Sequence, residues 1–340
     1  MKDQFEIAGH RIADDSPPLV IAEIGNNHDG SLEQAQRMIA AAAEAGADAV
    51  KFQTYDPDRL VRPGHQLYSF FRRYLLPREW HATLRDEAES NGLIFLSTPF
   101  DPDAADFLVS LGVPALKIAS SDLTNLPLVR RCAGHGLPLL LSSGMGTFAE
   151  IERALTVAGD MGCDELAVLH CISLYPTPPD KTELRAVPAL KERFGIPAGF
   201  SDHSLSAALP VAAVALGARI VEKHFTLDNS LSGPDHAVAL EPDQFKLMAD
   251  GCREVAAALG SGEKVITKEL DEVRNGSLRG LYAAENVPAG TELTVNMVAL
   301  LRPAAELTAG DLPKVLGRVA VKEVKKGEPI SLESFREKGK

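Results

Sequence analysis

Eight short apolar runs recur between residues 19 and 226, and each ends on a small polar or charged cluster. They span 19–25, 49–54, 93–100, 115–121, 138–144, 166–173, 198–204 and 220–226. Helical patterns lie between them. The stretch 32–45 follows Ser31, a favoured N-cap type, and stops at Gly46. Further helical patterns cover 78–91, 101–111, 147–161, 204–216 and 242–259, and Thr147 with Glu150 has capping-box spacing. Short continuous apolar strands alternating with helices of ten or more residues make parallel crossover units. Eight such units predict an α/β chain of the (β/α)₈ barrel type. A barrel of this kind builds its site at the C-terminal ends of its strands.

The run ends therefore define a ring of candidates: Glu23, Lys51, Thr98, Lys117, Ser120, Ser142, His203 and His224. Lys51 and Lys117 interrupt otherwise apolar runs. A lysine there either reaches into the mouth or snorkels at an edge, and two at equivalent places favour the mouth. Two ammonium groups form a receptor for phosphate or carboxylate. Thr98, Ser120 and Ser142 occupy matching run ends and can donate to the same anionic oxygens. His203 and His224 close the last two runs, beside Glu23 on the first. Two imidazoles with oxygen and water partners suit Mn²⁺, Mg²⁺, Fe²⁺, Co²⁺ or Zn²⁺. Asp202 and Glu222 read as groups that orient these neighbours.

The length, 340 residues, allows one large barrel and a smaller unit. A net charge of −12 with no basic cluster argues against nucleic acid as partner, so an anionic substrate needs local cations. Cys132, Cys163, Cys171 and Cys252 lack metal-type spacing and read as reduced thiols. The polar N-terminal stretch lacks a signal-peptide core, and no apolar run is long enough for a membrane span. A cytoplasmic protein is expected.

Residues 1–18 read as a hairpin or cap around Gly9, completing a barrel unit over 1–259. The segment 55–77 exceeds an ordinary barrel loop and reads as a lid or specificity element. A polar, turn-rich stretch, 260–278, reads as a linker. Beyond it, 279–340 shows short β-type runs and two similar turns, Val287-Pro-Ala-Gly-Thr and Val324-Lys-Lys-Gly-Glu. At about 60 residues this unit is marginal as an independent fold.

The motifs IAEIGNNHDGS (21–31), AGADAVKFQ (45–53), STPFD (97–101), KIASSD (117–122), LSSGM (141–145), HCISLYPTP (170–178), GFSDHS (199–204), VEKHFT (221–226) and GPDH (233–236) resemble the N-acetylneuraminate (sialic acid) synthase family. Legionaminate and pseudaminate synthases belong to the same group. The tail resembles the antifreeze-like SAF domain that ends those enzymes. The resemblance implies condensation of phosphoenolpyruvate with an N-acylated mannosamine-type sugar, giving a nine-carbon 3-deoxy ulosonic acid and phosphate. A 2,4-diacetamido-trideoxy acceptor is the alternative, and a non-catalytic barrel binding sugar or phosphoenolpyruvate is a reading of another class.

By resemblance, Lys51, Thr98, Lys117, Ser120, Ser142, Ser173 and Ser201 contact phosphoenolpyruvate, and His203 and His224 hold the divalent metal, usually Mn²⁺, with Mg²⁺ or Co²⁺ as substitutes. Glu23 is the candidate for proton handling. Tyr175, Asp235 and Asp122 lie near the sugar. Arg302 matches an arginine lent by a partner in a domain-swapped homodimer. Ser173 stands where sialic acid members often carry Asn, Asp122 replaces a common Glu, and Arg302 precedes Pro-Ala-Ala rather than Pro-Gly-x-Gly.

Overall fold

The computed structural model describes residues 1–339 and divides the chain into two units, Met1–Ser261 and Gly262–Lys340. The first unit opens with a hairpin, β1 (Phe5–Ile7) and β2 (His10–Ile12), turned at Ala8 and Gly9, both at positive φ. Eight strands follow: β3 (Leu19–Gly25), β4 (Ala49–Thr54), β5 (Ile94–Pro99), β6 (Leu116–Ile118), β7 (Leu139–Ser142), β8 (Leu166–Cys171), β9 (Ala198–Asp202) and β10 (Ile220–His224). Each lies within a run read from the sequence. They form one sheet in the order β5-β4-β3-β10-β9-β8-β7-β6, and every paired ladder is parallel. The end strands β5 and β6 lie side by side, which brings the sheet round into a barrel.

The connecting helices are α1 (Leu32–Glu44), α2 (Pro57–Leu60), α3 (Leu67–Arg73), α4 (Arg78–Ser90), α5 (Pro102–Leu111), α6 (Leu126–Ala133), α7 (Phe148–Asp160), α8 (Ala186–Phe194), α9 (Ala208–Ala215) and α10 (Pro242–Ala258). Their ends follow the side chains. Ser31 Oγ accepts from Gln34 N–H, Asp101 caps α5 through Ala104 N–H, and Thr147 with Glu150 makes the reciprocal capping box. Each such cap satisfies donors that the first turn leaves orphaned and contributes about 1 kcal/mol. The sequence reading passed over α6 and α8, which are short, and over α2 and α3 within the 55–77 insertion.

Side chains on a strand alternate between faces, and this alternation organises the barrel. Leu19, Ile21, Ala49, Leu96, Ala115, Leu140, Ala167, Leu169 and Ile220 form one buried cluster, joined by Phe5, Ile7 and Ile12 of the hairpin. That cluster is the barrel interior, plugged from its N-terminal end. Intervening residues such as Val20, Val50, Phe95, Ile118, Val168 and Val221 join the larger core shared with the helices. Stepping two residues beyond the last interior position of a strand leads to the mouth.

The second unit has its own core, which includes Leu281, Val287, Leu293, Val315, Ile330 and Phe335. Its elements are α11 (Lys268–Ser277), β11 (Gly280–Ala283), β12 (Val298–Leu301), α12 (Leu312–Val315), β13 (Val319–Ala320) and β14 (Phe335–Arg336). The two similar turns meet through reciprocal backbone bonds, Val287 N–H to Val324 O at 2.8 Å and Val324 N–H to Val287 O at 2.9 Å. The expected linker, 260–278, holds helix α11. Thr267 caps it, Glu269 and Asp271 sit in its first turn and Arg274 in its last, which complements the helix dipole without any buried face.

Candidate active site

A cavity of about 370 Å³ opens at the C-terminal ends of the strands. Its walls carry Glu23, Lys51, Gln53, Thr98, Lys117, Ser120, Ser142, Cys171, Ser173, Tyr175, Ser201, His203, Glu222 and His224. Most share the parity of the apolar interior layer, so each strand places its polar residue directly above its packing residue: Ile21 under Glu23, Ala49 under Lys51, Leu96 under Thr98, Ala115 under Lys117, Leu140 under Ser142.

The two lysines differ in their surroundings. Lys51 Nζ sits 2.7 Å from Glu23 Oε2 and 3.8 Å from Glu222 Oε2, and it donates to Thr98 Oγ1 at 2.9 Å. Burial alone would lower its pKa, but Glu222 and Glu23 outweigh burial and raise it. Lys117 Nζ donates to Ser142 Oγ at 2.5 Å and to Ile118 O at 3.0 Å. No carboxylate oxygen stands within ion-pair distance of it among the described residues, and burial lowers its pKa. The mouth thus neutralises one ammonium internally and leaves the other for an incoming anion.

The carboxylates also diverge. Burial pushes Glu23 up to about 7, against the pull of Lys51. Glu222 is equally buried, but Lys117, Lys51 and the hydroxyl of Ser201, which donates to Oε1 at 2.9 Å, hold it down near 2. One carboxyl therefore exchanges a proton near neutrality while its neighbour stays ionised. Gln53 Nε2 donates to Glu23 Oε1 at 3.2 Å, Asn26 Nδ2 donates to Gln53 Oε1 at 3.2 Å, and Tyr55 OH donates to Asn26 Oδ1 at 3.1 Å. This chain fixes the Gln53 amide against the acid.

His203 and His224 face each other with ring centroids 5.4 Å apart, and the Tyr175 ring lies 4.0 Å from that of His203. Burial lowers both imidazoles to about 4, so both are neutral and hold a lone pair. His203 Nδ1 donates to Ile172 O at 2.9 Å, which directs its Nε2 lone pair elsewhere, and His224 Nδ1 is buried with no hydrogen-bond partner. Neutral imidazoles are the form that binds a divalent cation, and His203 is also held in orientation by Ile172 O. Among the described residues no three His, Cys, Asp or Glu side chains cluster as a metal cage. The pair fits a metal whose other positions are open to substrate and water.

Ser120 Oγ accepts from Gly144 N–H at 2.9 Å. A Cβ at Gly144 would stand 2.8 Å from both Ser120 Oγ and Cys171 Sγ and would strike Ser173 Oγ. Glycine is required there for the three polar groups to converge. Ser173 and Ser201 both reach the cavity. Asp235 is not part of its wall; it lies 3.6 Å from the Cβ position of Gly25, and burial raises its pKa beside Asn26 and His203. Asp122 also stands off the wall, accepting from Asn125 Nδ2 at 2.9 Å and Ser121 Oγ at 3.1 Å. Asp202, on the helix-facing side of β9, pairs with fully buried Lys223 at 2.6 Å. Arg302 belongs to the second unit and is exposed at the end of β12. The insertion contributes Phe71 to the cavity rim, where Tyr55 OH donates to Phe71 O at 3.3 Å.

Sequence reading missed Gln53, Glu222 as a wall residue, and the pair Asp29–His236. Strand parity with Lys51 and His224 marks the first two. His236 is fully buried, with Nε2 3.0 Å from Asp29 Oδ2 and Nδ1 2.6 Å from Thr226 Oγ1. Gly233 packs so closely that a Cβ there would meet the His236 ring at 2.5 Å. This clamp joins the loop after β3 to the loop after β10, where Asp235 sits.

A parallel barrel with a hydroxyl-lined mouth, one unpaired lysine and two facing neutral imidazoles is that of an enzyme handling a small anionic substrate. Residues 38–264 match the NeuB family and residues 279–336 match the SAF domain. The N,N'-diacetyllegionaminic acid synthase of Legionella pneumophila is 36% identical, over 88% of this chain and 89% of its own. The pseudaminic acid synthase of Campylobacter jejuni is 34% identical, over 95% and 98%. The crystal structure of the N-acetylneuraminic acid synthetase of Leptospira borgpetersenii superposes with a TM-score of 0.76 at 32% identity, covering 80% of this chain and 95% of that one. The chain belongs to the NeuB family.

Proposed function

We propose that the chain condenses phosphoenolpyruvate with the open-chain aldehyde of an N-acylated aminosugar, giving a nine-carbon 3-deoxy ulosonic acid and inorganic phosphate. The observation that carries this is Lys117, a buried ammonium without a carboxylate partner, in the same cavity as Glu23 and two neutral imidazoles. Lys117 with Ser142, Ser120 and Ser173 forms the receptor for the phosphate and carboxylate of phosphoenolpyruvate, with Lys51, Thr98 and Ser201 beside it. Bound by His203 and His224, a divalent metal, Mn²⁺ first among Mg²⁺ and Co²⁺, would supply Lewis acidity to the sugar carbonyl.

C3 of phosphoenolpyruvate bonds to the aldehyde carbon, water adds to C2, and the C2–O bond to phosphate breaks. Glu23, poised near neutrality, gives a proton to the aldehyde oxygen and takes one from the attacking water. Glu222 stays ionised and keeps Lys51 charged. Positioning both substrates under fixed charges contributes a large share of catalysis. Tyr175, half exposed beside His203, and Asp235 behind Gly25 flank the acceptor.

Two acceptors fit: an N-acylmannosamine-type sugar and a 2,4-diacetamido-trideoxy sugar. Phe71, Phe100 and Met145 on the rim favour the second. They offer apolar surface to a deoxy carbon and a second acyl group and no partner to extra hydroxyls. Phosphate release across a panel of N-acyl sugars with Mn²⁺ separates the two. Preference for N-acetylmannosamine would contradict the apolar-rim reading. The protein is further proposed to act in the cytoplasm as a domain-swapped homodimer, with Arg302 serving the partner's sugar site. Support comes from its resemblance and its exposure. Among the described residues no helix is long and apolar enough to cross a membrane.

A further inference from the structure

At the N-terminal face of the barrel, a cleft of about 620 Å³ lies between the chain after β2, the residues that precede β4 and β10, and the end of α10. Three carboxylates line it, and each has a cation. Asp48 Oδ1 pairs with Arg253 Nη2 at 2.7 Å, and its other oxygen accepts Val20 N–H at 2.8 Å. Asp14 pairs with Lys191 at 2.5 Å, and Asp15 pairs with Arg11 at 2.9 Å. Arg219 does not share in this matching. It is only 7% exposed, its Nε is buried without a partner, and among the described residues no hydrogen bond or ion pair engages its guanidinium. Asp15 feels its charge but is held by Arg11.

A guanidinium buried this deeply, its Nε wholly so, with no counter-ion in contact is costly, so the position calls for an anion. The remaining lining sets which anion. Pro17, Ala256 and Leu259 give an apolar wall, and Asp14, Asp15 and Asp48 present acceptors to hydroxyl groups. A phosphate dianion would meet three carboxylates with one free cation against them. A single carboxylate needs one fork, and Arg219 supplies it.

We infer that this cleft is a second ligand site for a hydroxylated monocarboxylic acid of the sugar-acid class. Arg219 takes the carboxylate, the aspartates take hydroxyls, and the end of α10 covers the carbon face. The site stands independently of the proposed reaction, although the acid made in that reaction is one member of the class.

The test is calorimetric titration of the full-length protein, with phosphoenolpyruvate saturating the mouth and no acceptor present. N-acetylneuraminate, glucuronate and inorganic phosphate are the probes. The sugar acids are expected to bind one to one; glucuronate binding marks a class-wide site, and N-acetylneuraminate alone marks a product site. Arg219→Gln should weaken binding at least tenfold while melting temperature and phosphate-release turnover stay at wild-type levels. Ala256→Phe, which fills the cleft without touching its charges, should give the same loss and decides the matter if Arg219→Gln does not fold. Absence of sugar-acid binding to the wild type, or equal binding in both variants, overturns the site. Arg219-dependent binding of phosphate in place of the acids overturns the assigned class. Loss of the proposed turnover in wild type with binding intact would count against the reaction alone.

Discussion

Glu23 and Glu222 are both buried beside Lys51, yet they carry their protons differently. Lys117 lies nearer in effect to Glu222, and the Ser201 hydroxyl adds to it, so Glu222 stays ionised while Glu23 titrates near neutrality. The proposed proton-handling role is therefore assigned to Glu23 rather than to Glu222. Glu23→Gln is expected to keep the fold, the metal and phosphoenolpyruvate binding while turnover falls roughly 10²–10⁴-fold. Metal analysis alongside steady-state kinetics checks this, and near-wild-type turnover would remove Glu23 from the mechanism.

At the scale of elements, the barrel strands were legible because each is a continuous apolar run closed by polar residues. The convergence of the candidate residues on one cavity was legible because strand ends in this architecture share one mouth. Lys51 and Lys117 stood out as charges within apolar runs. Gln53 did not, since a glutamine at a strand end is ordinary; only its shared parity with Lys51 marks it. The stretch that forms helix α11 reads as linker because it has no buried apolar face, and its stability comes from capping and charge instead. The Asp29–His236 clamp joins loops 207 residues apart and leaves no local trace in the sequence. The loop after β10 carries Asp235, which we propose flanks the acceptor. His236→Ala should raise the acceptor KM roughly ten- to a hundredfold while the phosphoenolpyruvate KM holds. His236→Gln, which keeps a donor toward Asp29, should lose less. Equal rises in both KM values would mean the clamp supports the whole mouth rather than the acceptor.

For the whole molecule, stability carries a pH signature from His81 on α4. It is fully buried, with Nδ1 donating to Pro77 O at 3.0 Å and Nε2 2.8 Å from Thr54 Oγ1, and burial lowers it to about 4. The unfolded chain takes up a proton near pH 6.5, whereas the folded one waits until about 4. Stability is thus full above pH 6.5 and falls as pH drops toward 4, by on the order of 3 kcal/mol at most from this group. Melting temperatures across that window should fall less steeply in His81→Gln than in wild type. An identical slope would assign the effect to other groups. Assembly is tested by mixing. Arg302→Ala and His203→Ala are each expected to be inactive alone and to regain up to about a quarter of wild-type activity in mixed dimers, one intact composite site per heterodimer. No recovery would rule out an arginine shared across subunits.

The proposed condensation depends on Lys117, Glu23 and the two imidazoles acting on one bound pair of substrates. Phosphate release from phosphoenolpyruvate, with Mn²⁺ and with or without an N-acyl aminosugar, measures that directly. Release is predicted only when both acceptor and metal are present, with one ulosonic acid formed per phosphate. Release at the same rate without acceptor, or none with any acceptor in the panel, would contradict it.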